Sequence, residues 1–193
     1  GRLQYIGIRH EGAASFAASG YAKLTGKPAA CLSIAGPGAT NLLTGLWDAK
    51  VDRAPVLALT GQVDTQVLGP GAFQEIDQAR AFAPVARFSQ TVLRDSRHVE
   101  LMNLACKNAI VDRDVAHLIF PDEVQTLAAG EGDTAGGPEG RLGDRQMLPA
   151  VDSLAAALQR LKDAKRPVII DDIESHPMVA PMREQLRSLG YVR

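Results

Sequence analysis

Three short segments carry the side chains best suited to chemistry, and each combines glycine with a carboxylate, an amide or an aromatic ring. The first is Arg9-His10-Glu11-Gly12, where Glu11 could hold or move a proton. The second covers residues 35–41 (AGPGATN) and the third covers residues 69–75 (GPGAFQE). Each segment alone has a plain structural explanation: a helix-terminal acid, a strand-to-helix turn or a surface connection. A ligand site requires that such groups converge.

The elements around these segments alternate between short apolar runs and longer stretches of helix formers, which predicts an α/β fold with a parallel sheet and helices on both faces. Helices are predicted at 11–25, closed by Gly26, and at 39–50 and 96–111. Strands are predicted at 3–8, 29–34, 56–60 and 115–120, with a less regular strand at 87–93. The runs at 29 and 56 are almost wholly apolar, as expected for strands covered on both faces. Ligands of such sheets bind beyond the carboxyl ends of the strands, so the three segments are expected at one edge.

The second part of the chain reads as a linker and the beginning of a second α/β domain. Residues 128–144 (AAGEGDTAGGPEGRLGD) are crowded with glycine and charge and cannot bury a face of a helix or strand. A helix at 151–162, a strand at 167–170 and a further helix to residue 189 follow. We therefore predict a domain at 1–127, a linker at 128–148 and a partial domain at 149–193.

Composition narrows the function classes. The 193 residues include 21 Lys and Arg against 22 Asp and Glu, a formal net charge of −1. This balance disfavours nucleic acid as a partner, because no basic excess exists to neutralise phosphates. Neither a signal sequence nor about 18 consecutive apolar residues occurs, so no membrane span is expected. Cys31 and Cys106, each in an apolar run, predict buried free thiols in a reducing, cytoplasmic setting.

The motif blocks resemble a known family. The run RHEGAASFAASGYAKLTGKPAACLSIAGPGATNLLTGLWDAKVDRAPVLALTGQV, followed by GAFQEID and HLIFPDEVQ, resembles the pyrimidine-binding domain of thiamine-diphosphate enzymes of the acetolactate synthase and pyruvate oxidase group. The resemblance extends in order over about residues 1–125. From residue 150 onward, the chain is similar to the start of the family's middle domain, with its AKRPVII strand.

The resemblance implies a role for five residues. Glu11 matches the glutamate that hydrogen-bonds the pyrimidine ring nitrogen of the cofactor, and an apolar cleft is expected to raise the pKa of this carboxyl group. Pro37 and Asn41 match positions that line the pyrimidine site, whereas Phe73 and Gln74 match a pair on the substrate side. The cofactor then supplies the electron sink for decarboxylation of a 2-keto acid. His10, beside the glutamate, is open to a packing role or a catalytic role.

Several departures from the family bear on cofactors and partners. No GDG occurs in the sequence, so the resemblance places the diphosphate and Mg²⁺ on a domain not contained in these residues. The strand and helix with a VPG loop that precede RHEG in the family are also missing. Asp171-Asp172-Ile173-Glu174 stands where a glycine-rich turn helps to bind FAD, which disfavours flavin in this protein. Because family members place the cofactor between two subunits, a homodimer or homotetramer is implied.

Four interpretations remain open at this stage. The segment LWDAKVDRAPVLALTGQV favours pyruvate oxidase-like decarboxylation of pyruvate. Asn41 in GPGATN is instead the residue typical of an acetolactate synthase-type carboligase. The lack of diphosphate and magnesium ligands favours a catalytically silent fragment or subunit-interaction module. The glycine-rich loops alone also permit a nucleotide-binding domain, which the lack of Walker or Rossmann spacing disfavours.

Overall fold

The structure, a computed structural model, describes residues 4–128 and 150–165. The chain divides into two compact units, Gly1–Arg141 and Leu142–Arg193. All four strands described lie in the first unit, and they form one parallel sheet in the order β1-β2-β4-β3. Their bounds are β1 Ala29–Ser33, β2 Val56–Gln62, β3 Phe88–Thr91 and β4 Val115–Pro121. The predicted parallel sheet is confirmed, with β2 and β4 each extending beyond their predicted ends.

Helices cover both faces of this sheet, as predicted. The helices of the first unit are α1 Glu11–Thr25, α2 Pro37–Asn41, α3 Leu43–Val51, α4 Gln78–Phe82, α5 His98–Asp112 and α6 Asp122–Gln125. On β2, Val56 and Ala58 pack with α1, α3 and α4, whereas Leu57 and Leu59 pack in the cluster that includes α5. This alternation follows from the two-residue period of a strand. A single 3-10 turn at Thr65–Val67 completes the described elements of this unit.

Two expectations about strands are wrong. Residues 4–8 form no strand, and their side chains Tyr5, Ile6 and Ile8 are exposed. A strand requires a neighbour for its backbone hydrogen bonds, and no described strand pairs with this segment. β1 is an edge strand and is not covered on both faces, since Leu32 is exposed. Apolar composition therefore predicted burial correctly for β2 but not for β1.

The helices differ from the prediction mainly in the segment after β1. α1 has the predicted bounds, because Gly26 adopts a left-handed conformation (φ 68°) and its N–H returns to the Ala22 carbonyl. The single helix predicted at 39–50 is instead two helices that meet at Leu42, and the first begins at Pro37. Proline suits the first helical position because its missing N–H has no partner there. The short helices α4 and α6 were not predicted.

The second unit contains one described helix, α7 Val151–Asp163, close to its predicted bounds. The remaining predicted features, which are most of the linker, the strand at 167–170, the helix to 189 and the Asp171-Asp172-Ile173-Glu174 turn, lie outside the described residues. The domain boundaries 1–127, 128–148 and 149–193 thus stay predictions. Within the described ranges, no helix is long and apolar enough to cross a membrane. Both cysteines are free; Cys31 is buried, whereas Cys106 is only partly so.

Candidate functional site at the carboxyl edge of the sheet

Glu11 is the first residue of α1, where a carboxylate is favoured by the helix dipole. The residue before it, His10, caps this helix: its Nδ1 accepts a hydrogen bond of 3.1 Å from the Gly12 N–H. The structure therefore gives His10 a local structural role. Glu11 is thus a helix-terminal acid, which is one of the two interpretations of the sequence. It also faces the loop after β1, as the second interpretation, a converging site, requires.

The loop after β1 contacts Glu11 directly. Asn41, the last residue of α2, donates from Nδ2 to Oε2 of Glu11 over 3.1 Å. A Cβ added to Gly38 would lie 3.2 Å from Oε1 of Glu11, so α2 approaches the carboxylate closely on a second side. The first two segments singled out in the sequence thus meet at the carboxyl end of β1. Gly12 lies against the Asn41 carbonyl oxygen, to which an added Cβ would approach within 3.2 Å.

The electrostatics of Glu11 contradict the expected shift. Its own backbone N–H, and then the Asn41 amide, hydrogen-bond the carboxylate and hold its pKa below the ordinary value. Desolvation acts in the opposite direction but is smaller, because the group is largely open to solvent. The expected apolar cleft, which would raise this pKa, is not formed by the described residues. In this structure Glu11 is an ionised hydrogen-bond acceptor.

The third segment reaches the same edge through its backbone. Gly36 has φ 59° and ψ −119°, and a Cβ at this position would overlap the Gln74 carbonyl oxygen. Glycine is required here on both counts. Gln74 itself has φ 67°, a left-handed conformation that is uncommon for residues other than glycine. Loops 35–41 and 69–75 are therefore in direct contact beside Glu11.

Pro37 and Phe73 are placed at this edge with exposed side chains. Pro37 opens α2 next to Gly36, and Phe73 is 88% exposed. An aromatic ring exposed to this degree contributes little to the core. The structure thus brings Glu11 and Asn41 into contact and places Gln74 against the same loop, while the Phe73 ring remains free to meet another molecule.

Glu75 organises the third loop and was not assigned a role from the sequence. Its carboxylate accepts from the N–H groups of Gly69, Gly71 and Ala72 at 2.8, 3.1 and 2.8 Å. The hydrogen bond from the Ala72 N–H contributes most to lowering the pKa of Glu75. An acid placed a few residues after Gly-Pro-Gly-Ala could have signalled this role, because glycine-rich turns present N–H groups that lack partners.

Gln62 ties the same loop to the end of β2 and was also missed. The side chain is buried; Nε2 donates to the Ile76 carbonyl over 2.9 Å, and Oε1 accepts from the Val63 N–H over 2.9 Å. A glutamine at the end of an apolar run carries no periodic signal that distinguishes such a brace from surface polarity. The loop from β2 to α4 is thus held at its carboxyl-terminal end as well as by Glu75.

Other features of the described residues do not add to this site. They contain no group of three or more His, Cys, Asp or Glu that could hold a metal ion. A cleft of about 540 Å³ lies at the ends of β3 and β4, lined by Thr65, Gln66, Leu93, Arg94, Asp95, Ser96 and Glu123. It contains none of the residues predicted to carry chemistry.

Comparison with known proteins gives matches over most of the chain. Residues 1–81 match the model of the family described as thiamine pyrophosphate enzyme, N-terminal TPP binding domain. The chain is 40% identical over 172 residues to YdaP of Bacillus subtilis, whose name describes it as a thiamine pyrophosphate-containing protein. It is 34% identical over 171 residues to acetolactate synthase isozyme 1 large subunit of Escherichia coli, and 33% identical over 168 residues to pyruvate oxidase of Lactiplantibacillus plantarum.

These matches include most of this chain but a small part of each relative. They cover 88%, 87% and 87% of the chain and 29%, 30% and 28% of the respective relatives. The residues that form the edge site, from Glu11 to Gln74, all lie within the segment that the family model matches. Residues 1–81 of the chain carry the N-terminal TPP binding domain of the thiamine pyrophosphate enzyme family.

Proposed function

We propose that this chain is the pyrimidine-binding portion of an enzyme that uses thiamine diphosphate to decarboxylate a 2-keto acid, with pyruvate as the substrate in a pyruvate oxidase-like reaction. The observation that carries the proposal is the Glu11–Asn41 pair at the carboxyl edge of the sheet, inside the matched family segment. Glu11 is the catalytic residue in this proposal, and Pro37, Asn41 and Gln74 line the cofactor.

Glu11 is suited to bind a ring nitrogen. An ionised carboxylate has about four lone-pair sites, so its bonds to the Asn41 amide and to its own backbone N–H leave acceptor capacity. An aromatic ring placed on Glu11 excludes water from the carboxylate, and desolvation then raises the pKa from its lowered value. Glu11 can therefore share a proton with a basic ring nitrogen once the site is covered. The raised pKa expected from the sequence becomes a property of the occupied site in this proposal.

The residues around Glu11 define where the ring sits. Gly38 keeps a side chain away from the space beside the carboxylate, and Asn41 fixes the orientation of Oε2. Phe73 and Gln74 occupy the loop that closes against Gly36, which supports a position on the substrate side. When bound, thiamine diphosphate supplies the carbon nucleophile and the electron sink for decarboxylation.

The proposed type of reaction rests on the residues found within two sequence motifs. The LWDAKVDRAPVLALTGQV segment supports an oxidase-like enzyme, and one relative is named pyruvate oxidase. The second candidate, an acetolactate synthase-type carboligase, is favoured by Asn41 in GPGATN and by the relatives that carry that name. Both candidates depend on the proton that Glu11 shares with the ring nitrogen, so the residue roles proposed here hold for either.

Homodimer or homotetramer assembly is part of the proposal and is supported by an apolar surface on α1 and α3. Leu24 is 82% exposed, and Phe16, Trp47 and Val51 are also exposed on these two helices. Exposed apolar side chains such as these are typical of protein interfaces. Trp47 is the only tryptophan, so its fluorescence emission should shift to the blue as the protein concentration rises. Emission that does not change across a concentration series in which sedimentation shows assembly would place the interface elsewhere.

The proposal assigns no magnesium or flavin ligand to the described residues. Mg²⁺ accompanies thiamine diphosphate in the proposed enzyme, and the described residues offer no cluster for it. FAD is not included in the proposal, because Asp171-Asp172 replaces the glycine-rich turn. We propose a cytoplasmic location, which the two free cysteines support, because free thiols persist in reducing compartments.

Turnover of the intact protein that contains this chain tests the proposal. Glu11→Gln removes the ionisable proton site while it retains size, and we expect kcat for pyruvate to fall by about a hundredfold or more. Glu100→Gln is the matched control, because Glu100 is also an acid in the first turn of a 15-residue helix, α5. Unchanged turnover in Glu11→Gln would exclude the proposed proton role.

Calorimetric titration separates this function from the silent-module alternative. The titrant is thiamine diphosphate with Mg²⁺, and the 193-residue chain is compared with its Glu11→Gln variant. Binding that is weaker in Glu11→Gln supports a site at Glu11. Absence of heat with the chain and with the intact protein supports the silent module instead.

A further inference from the structure

We infer that a buried chain of hydrogen bonds through Ser89, His117, Thr60 and Gln78 positions the loop that carries Phe73 and Gln74. The loop spans residues 63–77, between the end of β2 and the start of α4. Thr60, His117 and Gln78 are positioning residues in this inference, because they act on the site through the loop. The identity of a ligand at this loop rests on the proposed function, whereas the placement of the loop does not.

The chain of bonds crosses three adjacent strands and ends on the helix after the loop. Ser89 Oγ on β3 lies 2.9 Å from Nδ1 of His117 on β4, and Nε2 of His117 lies 2.8 Å from Oγ1 of Thr60 on β2. Thr60 Oγ1 is also hydrogen-bonded to Oε1 of Gln78, the first residue of α4. Gln78 Nε2 donates to the Gly61 carbonyl over 2.6 Å.

The donors and acceptors permit only one direction along this chain. The Gly61 carbonyl cannot donate, so it must face the amide nitrogen of Gln78, and Oε1 of Gln78 then accepts from the Thr60 hydroxyl. The Thr60 oxygen therefore accepts from His117 Nε2–H. Burial lowers the pKa of His117 to about 3 and keeps the ring neutral, so Nδ1 carries no proton and accepts from the Ser89 hydroxyl. His117 is thereby fixed as the neutral tautomer with its proton on Nε2.

Burial raises the cost of losing the bonds between His117, Thr60 and Gln78. His117 is fully buried, and Thr60 and Gln78 are each 1% exposed, so water cannot replace a missing partner. A buried donor or acceptor left without a partner is costly. Loss of the Thr60 hydroxyl therefore favours movement of the partner that can reach water more easily. That partner is Gln78 rather than His117, because α4 has only five residues and follows a largely exposed loop.

α4 depends on this chain at both of its ends. Gln78 at the first position is bonded to Thr60 and Gly61, and Phe82 at the last position stacks on the His117 ring with centroids 3.8 Å apart. The Gln78 N–H also bonds to the Ile76 carbonyl, which is the group held by Gln62. The loop thus has its carboxyl-terminal end fixed through α4. Gln74 lies four residues before Gln78, within this fixed stretch.

The pair Thr60→Val and Thr60→Ser tests the inference on the ligand-free chain. Valine retains the shape of threonine and removes the hydroxyl, whereas serine retains the hydroxyl. We expect Thr60→Val to accelerate hydrogen exchange at the Glu75 and Gln78 amides by about tenfold or more relative to the β2 amides of Val56–Leu59. Thr60→Ser should restore the protection. Equal acceleration at the loop and at β2 would show a role in the stability of the core alone and would overturn the inference.

A measurement without substitution covers the case in which Thr60→Val does not fold. The ¹⁵N signals of His117 in the wild-type chain should show a protonated Nε2 and an unprotonated Nδ1 from pH 5 to 8. Exchange between tautomers, or a proton on Nδ1, would overturn the directed chain. Neither measurement uses cofactor or turnover, so a negative result for Glu11→Gln would remove the proposed function and leave this inference to stand or fall separately.

Discussion

Two polar clusters lie within the same sheet, one at its carboxyl edge and one in its interior. In the edge cluster, Glu11 and Asn41 form a solvent-exposed hydrogen bond, and the Phe73 ring is exposed at the same edge. The interior chain joins Ser89, His117, Thr60 and Gln78, with His117 fully buried. Both clusters depend on residues far apart in sequence, yet only one of them is exposed enough to meet a ligand.

The difference indicates how to recognise a site from its hydrogen bonds. Inside the sheet every polar atom of the His117 ring has a partner, which fixes a single arrangement. At the edge, the Glu11 carboxylate retains acceptor capacity and its pKa is lowered by hydrogen bonds rather than raised by burial. Complete internal pairing indicates a structural role, whereas spare capacity at a strand end indicates a place for another molecule.

The largest effect expected from this contrast is the pH dependence caused by His117. Its pKa is lowered from 6.5 to about 3 by burial, so between these values the unfolded chain binds a proton that the folded chain does not. The free energy of unfolding therefore decreases as the pH decreases through this window. The decrease is about 1.4 kcal/mol per pH unit, or about 3 kcal/mol from pH 6.5 to pH 4. Urea unfolding at a series of pH values measures this slope.

His117→Gln is the control for this slope, because glutamine can donate to Thr60 and does not titrate. Carboxylates with lowered pKa, such as Glu11 and Glu75, also lose stability as the pH falls, and they do so equally in both proteins. The difference between the two slopes isolates His117. Identical slopes would mean that His117 is accessible to protons in the folded chain, and the contrast between edge and interior would be wrong.

A smaller effect is expected at Gly36, which joins the two loops of the edge. Gly36→Ala places a Cβ onto the Gln74 carbonyl at a backbone conformation that only glycine adopts readily, and should lower the free energy of unfolding by about 2 kcal/mol. Gly20→Ala in α1 is the matched control; nothing lies within 4 Å of the added Cβ, and stability should rise by about 0.5–1 kcal/mol. Thermal unfolding of both variants measures the difference, and an equal response would show that loops 35–41 and 69–75 do not press together.

The sequence predicted the sheet because most of its strands are short apolar runs separated by strong boundary signals. Gly26 placed the end of α1 correctly. Glu11 lies beside Asn41 as expected, although the strand before Glu11 on which that expectation rested is not formed. The strand at 3–8 was wrong because apolar composition does not supply a pairing partner. Leu42, where the predicted helix divides, is fully buried and an ordinary helix former, so nothing in its local composition signals a break.

The residues that brace the site were harder to predict than those that face the ligand. Glu11 stands out because a carboxylate follows an apolar run at a loop, whereas Gln62, Gln78 and His117 are polar residues placed inside the fold by long-range contacts. The direction of the Glu11 pKa shift was also wrong, because it depends on exposure, which a motif does not encode. Side chains whose partners lie 14 to 57 positions away require the three-dimensional structure.

The most direct test of the central claim is the protonation state of the cofactor ring nitrogen in the intact protein. Thiamine diphosphate labelled with ¹⁵N at this nitrogen is bound to wild type and to Glu11→Gln, and the ¹⁵N signal is recorded for each. The account predicts a signal typical of a protonated or proton-sharing ring nitrogen in wild type and of a neutral one in Glu11→Gln. The same signal in both proteins would contradict the role of Glu11.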